Sequence, residues 1–280
     1  MLVGPMIACA LAFVAPKADV DNSKELAKFE GVWSFSRVVV DGAQQPAQPF
    51  TTNKMIILKD GRYVVVQGST ITHGIMKVDA SATPKHIDCT ISDGPAKGAT
   101  FAAIYSLEGD TYRFCGSLKG KARPATLASA KGSGMMLQVL KREKQDAKAA
   151  MIEVCRTEMA GTWLGTSFTR EGSKASEEEL KQIKITVDAE GKITSYIGDK
   201  VFLAGGSTID PEQNPMTLDV AYTEGVNKGK TSLGIYKLEN GVLTICRRPP
   251  DKPRPTEFSS ESGSNQILIT YKREKTEKAR

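Results

Sequence analysis

The sequence predicts an all-β protein of two tandem eight-stranded antiparallel up-and-down barrels with short capping helices. Three observations lead to this prediction. The chain repeats itself once over nearly its whole length, each copy holds about eight strand-like runs, and turn signals join those runs into hairpins. Closing such a sheet into a barrel removes its exposed edges, which favours barrels; a pair of two-sheet β-sandwiches is the alternative.

The repeat is clearest between GIYKLENGVLTICRRPPDKPRP, which begins at Gly234, and AIYSLEGDTYRFCGSLKGKARP, which begins at Ala103. The displacement is 131 residues, whereas Gly161-Thr162-Trp163 follows Gly31-Val32-Trp33 by 130, so one inserted residue aligns the copies. Units of this size close their own cores, and the repeat therefore indicates tandem domains. We expect the first barrel over 24–143 and the second over 158–275.

Each strand is predicted from a run of β-branched and aromatic residues bounded by turn residues. Asp60-Gly61 in MIILKDGRYVVVQ and Asn240-Gly241 in YKLENGVLTIC are hairpin signals, because both pairs accept positive φ. The strand-like runs of the first copy lie at 32–40, 54–59, 62–67, 72–79, 85–91, 100–107, 111–116 and 134–141.

Helices are expected only as short elements around the barrels. Asn22 and Ser23 can cap a turn that precedes the first barrel. The joining segment, 144–157, is rich in Ala, Lys and Glu and predicts a helix that runs into the second copy. Ser176 with Glu179 forms a capping box that opens one further helical turn.

The N-terminal residues are apolar from Leu2 to Ala15 and then abruptly polar. This run is too short to span a bilayer and has the form of a secretory signal. We therefore expect a signal peptide over 1–18, an exported protein in the periplasm or outside the cell, and no transmembrane segment. A charged tail over 276–280 is expected to be a solvated end.

The net charge of +6 does not indicate nucleic-acid binding, because Lys and Arg alternate with Asp and Glu along most of the chain. A nucleic-acid site would require a concentrated basic stripe. Hydrophobic residues make up 40% and charged residues 25%, as in ordinary globular proteins, so the bulk of the chain is expected to fold.

The five cysteines lie at 9, 89, 115, 155 and 246, and Cys9 would leave with the signal peptide. There is no CxxC pair and no close His pair, so neither a metal site nor a redox dithiol is predicted. Cys115 and Cys246 occupy the same place in the two copies, which favours a buried small residue. A disulfide among the other four is the alternative in an oxidising compartment.

No catalytic constellation is recognised, and no cofactor is predicted. The chain has two histidines, His73 and His86, whose counterparts in the second copy are Ala204 and Thr217. There is no Gly-x-Ser-x-Gly elbow, phosphate loop or metal-ligand spacing. The sequence therefore favours a protein that is not an enzyme.

Three kinds of polar residue recur in both copies and form the candidate site: Tyr105 with Tyr236, Asp88 with Asp219, and Arg123 with Arg254. In one interpretation they line the mouth of each barrel and bind a small apolar molecule with an acidic group. In the other, Asp and Arg bind each other or loop backbone while Tyr fills the core.

Several short motifs recur in both copies: Gly-x-Trp opening the first strand, then Asp-Gly, Ile-Asp, Gly-Ile-Tyr-x-Leu-x-Gly-Asp followed by Cys, and Arg-Pro-x-x-Phe. Together they resemble an uncharacterised lipocalin-like domain family that is abundant in Planctomycetes, usually on exported proteins. The resemblance covers most of residues 24–275. Departures are Ala103 for Gly, Leu127 for Phe, Glu171-Gly172 for Asp-Gly and Asn240-Gly241 for Gly-Asp.

The resemblance implies a role for the two tryptophans. In lipocalin-like barrels the Trp of Gly-x-Trp plugs one end of the barrel, and a basic side chain near the last strand packs over its ring. These barrel-closing residues would be Trp33 and Trp163. Their basic partners would come from Lys141 or Arg142 in the first copy and from Lys272 or Arg273 in the second.

The function expected from the sequence is that of an exported, non-catalytic tandem barrel protein that binds a small apolar or amphipathic ligand. Two alternatives stay open. Both barrels could be filled by side chains and serve as a structural or protein-interaction module with an envelope protein as partner. One barrel could instead be an enzyme acting on a lipid or sugar derivative.

Overall fold

The computed structural model describes residues 22–47, 52–118 and 122–274. Its strands form two antiparallel sheets, each of eight long strands and one two-residue strand. In both sheets the first long strand also pairs with the last, so each sheet closes on itself. The predicted all-β class and the two tandem eight-stranded barrels are confirmed, and the β-sandwich alternative is wrong.

Barrel 1 follows a short helix, α1 (Asn22–Ala27). Its strands are β1 (Gly31–Val40), β2 (Ala43–Gln44), β3 (Lys54–Ile57), β4 (Arg62–Gln67), β5 (Thr70–Asp79), β6 (His86–Ile91), β7 (Thr100–Glu108), β8 (Thr111–Ser117) and β9 (Met135–Arg142). The two-residue β2 is the return arm of a hairpin with the end of β1.

Barrel 2 repeats this order after α2 (Ala147–Met159), which lies where the joining helix was expected over 144–157. Its strands are β10 (Gly161–Arg170), β11 (Ser173–Lys174), β12 (Ile183–Val187), β13 (Lys192–Ile197), β14 (Lys200–Asp210), β15 (Thr217–Gly225), β16 (Thr231–Glu239), β17 (Val242–Arg247) and β18 (Ile267–Arg273). The capping box of Ser176 and Glu179 opens α3 (Glu177–Leu180).

Some sequence predictions lie outside the described residues, namely the signal peptide over 1–18, Cys9 and the charged tail over 276–280. Within the described residues, no helix combines the length and the hydropathy that a membrane crossing needs.

The turns follow the chemistry of their residues. Asn240 and Gly241 both have positive φ, 52° and 71°, and join Glu239 to Val242 in a two-residue hairpin. Two consecutive positive φ values give the backbone twist that matches the flanking strands. Asp60-Gly61, in contrast, ends a four-residue connection between β3 and β4, in which Gly61 alone has positive φ.

Barrel 1 has a core of large side chains packed inside the closed sheet. Alternate residues of each strand point inward and form one buried cluster. Phe29, from the segment after α1, makes edge-to-face contacts with Tyr105 and Tyr112, and Tyr112 in turn contacts Trp33. Other members of the cluster are Phe35, Met55, Tyr63, Met76, Ile87, Phe114 and Leu140.

One end of barrel 1 is closed by Trp33, which is fully buried. Its indole N–H donates to the carbonyl of Phe29 at 2.8 Å, and the Arg142 guanidinium lies 4.1 Å from the centre of the Trp33 ring. Arg142 also donates to the carbonyls of Lys28 and Glu30. The first strand, the last strand and the segment after α1 are thus joined at one point.

Gly31 is needed for this arrangement. Its φ is +151°, and a Cβ there would lie 2.5 Å from a guanidinium nitrogen of Arg142. In barrel 2, Gly161 has a φ of +132°, and its Cβ would lie 2.6 Å from the corresponding nitrogen of Arg273. The glycine of each Gly-x-Trp motif therefore leaves room for the arginine that covers the tryptophan.

The closed end of barrel 2 repeats these contacts. The Trp163 indole donates to the Met159 carbonyl at 2.8 Å, and Arg273 lies 4.3 Å from the centre of the ring. Arg273 donates to the carbonyls of Glu158 and Ala160. Because Met159 and Glu158 belong to the end of α2, this helix is the cap of barrel 2.

The buried side of α2 also packs against the outside of barrel 1. Met151, Val154 and Cys155 belong to one buried cluster that includes the interior of barrel 2 and the outward-facing Val32 and Ile56 of barrel 1. At the same positions barrel 2 has Thr162 and Thr186. Of the two outer walls, only that of barrel 1 is therefore apolar at these positions, and α2 packs there. The interiors of the two barrels remain separate.

We expect the substitution Arg142→Met to lower the free energy of unfolding of barrel 1 by about 1–2 kcal/mol, because it removes the cation over Trp33 and the bonds to two carbonyls. In a Trp163→Phe background the fluorescence of Trp33 reports on barrel 1 during urea unfolding. Lys141→Met, at an exposed neighbouring position, is the control. Equal midpoints for the two variants would contradict the role assigned to Arg142.

Candidate functional site

Barrel 2 contains a cavity of about 560 Å³ that opens at the end opposite Trp163. This volume lies within the range of small-molecule binding sites. Most of the lining is apolar and comes from the eight long strands, among them the inward-facing Ile185, Ile193, Leu218, Val220, Ile245 and Ile269.

The cavity exists because smaller side chains replace large aromatic ones of barrel 1. Phe35 has Gly165 as its counterpart, at a displacement of 130. By the same strand register, Tyr63 corresponds to Ile193 and Phe114 to Ile245. Space that aromatic rings fill in barrel 1 is thus left open in barrel 2.

Polar side chains also line the cavity of barrel 2. Arg247 donates to the Tyr222 hydroxyl at 2.9 Å. Arg170 lines the cavity nearer its mouth, whereas the Lys184 side chain lies on the outer face of the wall, 4.9 Å from the centre of the Tyr196 ring. Glu179 is an acid of the lining, but its carboxylate accepts hydrogen bonds from the backbone and hydroxyl of Ser176.

The mouth of the cavity has an apolar rim, which we define as Ile197, Phe202 and Val226. These side chains are between 42% and 81% exposed. Phe202 is the one residue that the second copy has in addition to the first. The strand pairing shows this, because Ser195 pairs with Leu203 whereas Tyr196 pairs with Val201, which leaves Phe202 as a bulge. The corresponding hairpin of barrel 1 has no such bulge.

The repeated tyrosines lie far from this mouth. Tyr105 is buried beside the closed end of barrel 1, where its hydroxyl donates to Glu25 at 3.0 Å. Burial alone would raise the pKa of Glu25, but Lys28, Lys85 and the Tyr105 hydroxyl outweigh it and lower that pKa to about 2. The tyrosine is therefore part of a charge cluster around the buried Glu25.

Tyr236 has the equivalent place in barrel 2, but the residue facing it is Cys155 instead of Glu25. Burial raises the pKa of Cys155 to about 11 and that of Cys89 to about 12. Both groups are neutral thiols near pH 7 and poor nucleophiles. The four cysteines of the described residues are buried and free.

The repeated Asp and Arg residues bind each other on the outside of the barrels. Arg123 donates to Asp88 at 2.6 Å and to the carbonyl of Ala103. Arg254 forms a two-bond pair with Asp219, one bond of 2.9 Å, and donates to the carbonyl of Gly234. Each arginine thus fastens the long loop before the last strand to the outer wall.

The thiols of Cys115 and Cys246 lie under these loops, each donating to a loop carbonyl at 3.3 Å. Both cysteines are buried, as expected, and their thiols lie between the barrel wall and the loop that covers it. The six candidate site residues do not line the cavity of barrel 2. The contacts of Tyr105, Tyr236, Asp88, Asp219, Arg123 and Arg254 are those of the structural interpretation.

The residues that sequence reasoning missed are those at which the copies differ. Arg247 corresponds to Gly116, and Tyr222 to Ile91, at a displacement of 131. The departures between copies, rather than the repeated residues, would have indicated the cavity. Recognising them requires the inward register of each strand as well as the alignment.

A second, smaller cavity of about 330 Å³ lies between the barrels, lined by residues of both and by α2. His73 of β5 binds the two carboxylate oxygens of Glu158 in α2 at 2.9 and 3.0 Å. Arg62 donates to the carbonyl of Glu212 at 2.8 Å. These contacts join barrel 1 to the closed end of barrel 2. Within the described part of the chain, no group of three or more His, Cys, Asp or Glu residues could hold a metal ion.

Comparison with known proteins gives no family for this chain. No protein-family model matches it, and no curated protein matches it. Among solved structures, it is similar to the crystal structure of a protein of unknown function from the DUF3598 family of Nostoc punctiforme. The identity is 9%, the match covers 91% of this chain and 99% of that chain, and the TM-score is 0.26. A likeness of this size carries no argument about fold or function.

We expect Arg254→Met to lower the free energy of unfolding of barrel 2 by about 1–2 kcal/mol, because the partly exposed pair with Asp219 and the bond to Gly234 are lost. Urea unfolding followed by Trp163 fluorescence in a Trp33→Phe background measures this change. Lys252→Met, in the same loop and exposed, serves as the control. A loss no larger than that of the control would refute the fastening role.

The contact between His73 and Glu158 should depend on pH. Burial alone lowers the pKa of His73, but the Glu158 carboxylate, with a smaller contribution from Asp93, raises it above 6.5. A raised folded-state pKa means that the stabilisation is fully present below about pH 6.5 and is lost as pH rises through the folded value. Glu158→Gln should therefore destabilise the protein more at low pH than at high pH. Urea unfolding across this range tests it, and a pH-independent difference would count against the pairing.

Proposed function

We propose that this two-barrel protein binds a small apolar or amphipathic ligand in barrel 2, and that barrel 1 is a filled support. We further propose that it is exported and belongs to the lipocalin-like family that its motifs resemble. The observation that supports ligand binding most directly is the open, mainly apolar cavity of about 560 Å³.

The contrast between the copies supports a division of roles. Both barrels close with the same Trp and Arg contacts, so the frame is common to both. Rings of Phe35, Tyr63 and Phe114 fill barrel 1, whereas barrel 2 has smaller residues at those places. An unfilled core lowers stability, and retaining one is consistent with a ligand that occupies it.

The apolar rim supports the same proposal. Ile197, Phe202 and Val226 continue the lining of the cavity outward to its mouth. The corresponding hairpin of barrel 1 has Gln67 in place of Ile197, and Pro95 takes the place of Val226. An apolar path from solvent to the lumen is therefore present in the barrel that has room for a ligand.

Export is proposed from the apolar segment that precedes Ala15 and the polar residues that follow it. A role without catalysis is proposed because the reactive side chains do not converge in the cavity. His73 is paired with Glu158 between the barrels, and the pKa values of Cys89 and Cys155 are raised by burial.

We expect the cavity-filling substitution Ile245→Phe to weaken the binding of dodecanol at least about tenfold, because it introduces the ring that Phe114 supplies in barrel 1. Isothermal titration calorimetry below the solubility limit of dodecanol measures the affinity. Leu118→Phe, which adds a ring at an exposed position of barrel 1, is the matched control and should bind like the wild type.

Native mass spectrometry of the protein purified from its own cells provides an independent test, since a retained small molecule would identify the natural ligand. If dodecanol binds wild type and Ile245→Phe equally, the ligand does not occupy the lumen of barrel 2. In that case the alternative of a structural or protein-interaction module is the better account.

A further inference from the structure

We infer that the ligand of barrel 2 carries an anionic head group bound by Arg247, with its apolar chain directed toward the closed end. This inference rests on the proposed function and specifies the class of ligand: a single-chain amphiphile with a carboxylate or similar acidic group. Arg247 is the residue that sequence reasoning did not select and that barrel 1 replaces with Gly116.

The environment of the Arg247 guanidinium supports this inference. It is partly buried in an apolar cavity, and the Tyr222 hydroxyl accepts one hydrogen bond from it. Among the described residues, no carboxylate lies within 4.0 Å of Arg247. An arginine withdrawn from water without an acidic partner is unfavourable unless a ligand supplies the negative charge.

The net charge of the cavity lining also supports an anionic head group. Arg170 and Arg247 are cations of the cavity wall, whereas the carboxylate of Glu179 is engaged in capping α3. A cavity with excess positive charge and low-dielectric walls attracts anions. The guanidinium is also suited to a carboxylate, because its planar fork can donate two parallel hydrogen bonds.

The register of β17 and β18 indicates the orientation of the ligand. Arg247 ends β17 on the mouth side, opposite Ile267, while Leu243 lies opposite Tyr271 near Trp163. Four residues of strand separate the two levels by about 13 Å. The deeper lining consists of Ile185, Leu218, Ile269 and Tyr271. The head group therefore belongs near the mouth and the chain in the depth of the barrel.

The difference from barrel 1 supports this assignment. A Cβ at Gly116 would lie 3.0 Å from the Phe114 ring, so a side chain there would compete with a ring that fills the lumen. In barrel 2 the ring is replaced by Ile245, and the position of Gly116 holds Arg247 with Tyr222 beside it. The polar pair and the open space thus occur together.

The test compares three compounds with the same twelve-carbon chain: dodecanoate, dodecanol and dodecyltrimethylammonium. Titration calorimetry of the full chain, below the concentration at which each compound aggregates, should give an affinity for dodecanoate about 10- to 100-fold higher than for dodecanol. The cationic compound should bind more weakly than the alcohol. Arg247→Met should abolish the preference for dodecanoate while dodecanol still binds.

The control Arg113→Met removes a cation from the outer wall of barrel 1 and should keep the full preference. If Arg247→Met binds none of the compounds, Arg247→Gln takes its place with the same expected loss. Equal affinities of the wild type for dodecanoate and dodecanol would overturn this inference and leave the proposed function intact. Failure of the wild type to bind either compound would overturn both. A preference unchanged in the Arg247 variants would show that another residue binds the head group.

Discussion

The contact on which the rest of the structure depends is the arginine stacked on a buried tryptophan at the closed end of each barrel. Arg142 and Arg273 come from the last strand, the tryptophans from the first, and the carbonyls they bind from the preceding helix or turn. The contact therefore joins the two edges that must meet for a barrel to close, and it fixes where the helix lies. For barrel 2 that helix is α2, so closing the second barrel also positions it against the wall of the first.

The two copies combine a common frame with different interiors. The contacts repeated in both copies, from Trp and Arg to the Asp and Arg that fasten the loops, hold the frame. The cavity depends on the positions that changed. Gly165 stands in place of Phe35 and Ile245 in place of Phe114, which leaves the lumen open, while Arg247 places a charge inside it and Phe202 an apolar side chain at its mouth. Repetition thus marks the contacts that hold the frame, and departure from repetition marks the cavity in which we propose that a ligand binds.

Much of the fold was predictable because strands and turns depend on local chemistry. The bounds of β4 and the turn at Asn240-Gly241 follow from β-branched runs and from residues that accept positive φ. The position of Tyr105 and Arg123 was not predictable, since the inward or outward direction of a side chain depends on strand register and on which loop covers the wall. The position of α2, in contrast, had a signal in the sequence. Ile56 and Val64 are apolar at positions where an exposed barrel wall would have polar residues, which indicates that this part of the sheet is buried on both faces.

The hollow interior of barrel 2 also explains why the two barrels are packed together. Replacing aromatic rings by small side chains removes contacts and leaves a cavity, and both effects destabilise a fold. The buried cluster of barrel 2 does not end at its wall but continues through Met151 and Val154 of α2 to Val32 and Ile56 of barrel 1. Barrel 2 therefore gains apolar burial outside its lumen that offsets part of what it loses inside. At the positions of Val32 and Ile56 barrel 2 has Thr162 and Thr186, so this apolar contact with α2 is made by the wall of barrel 1.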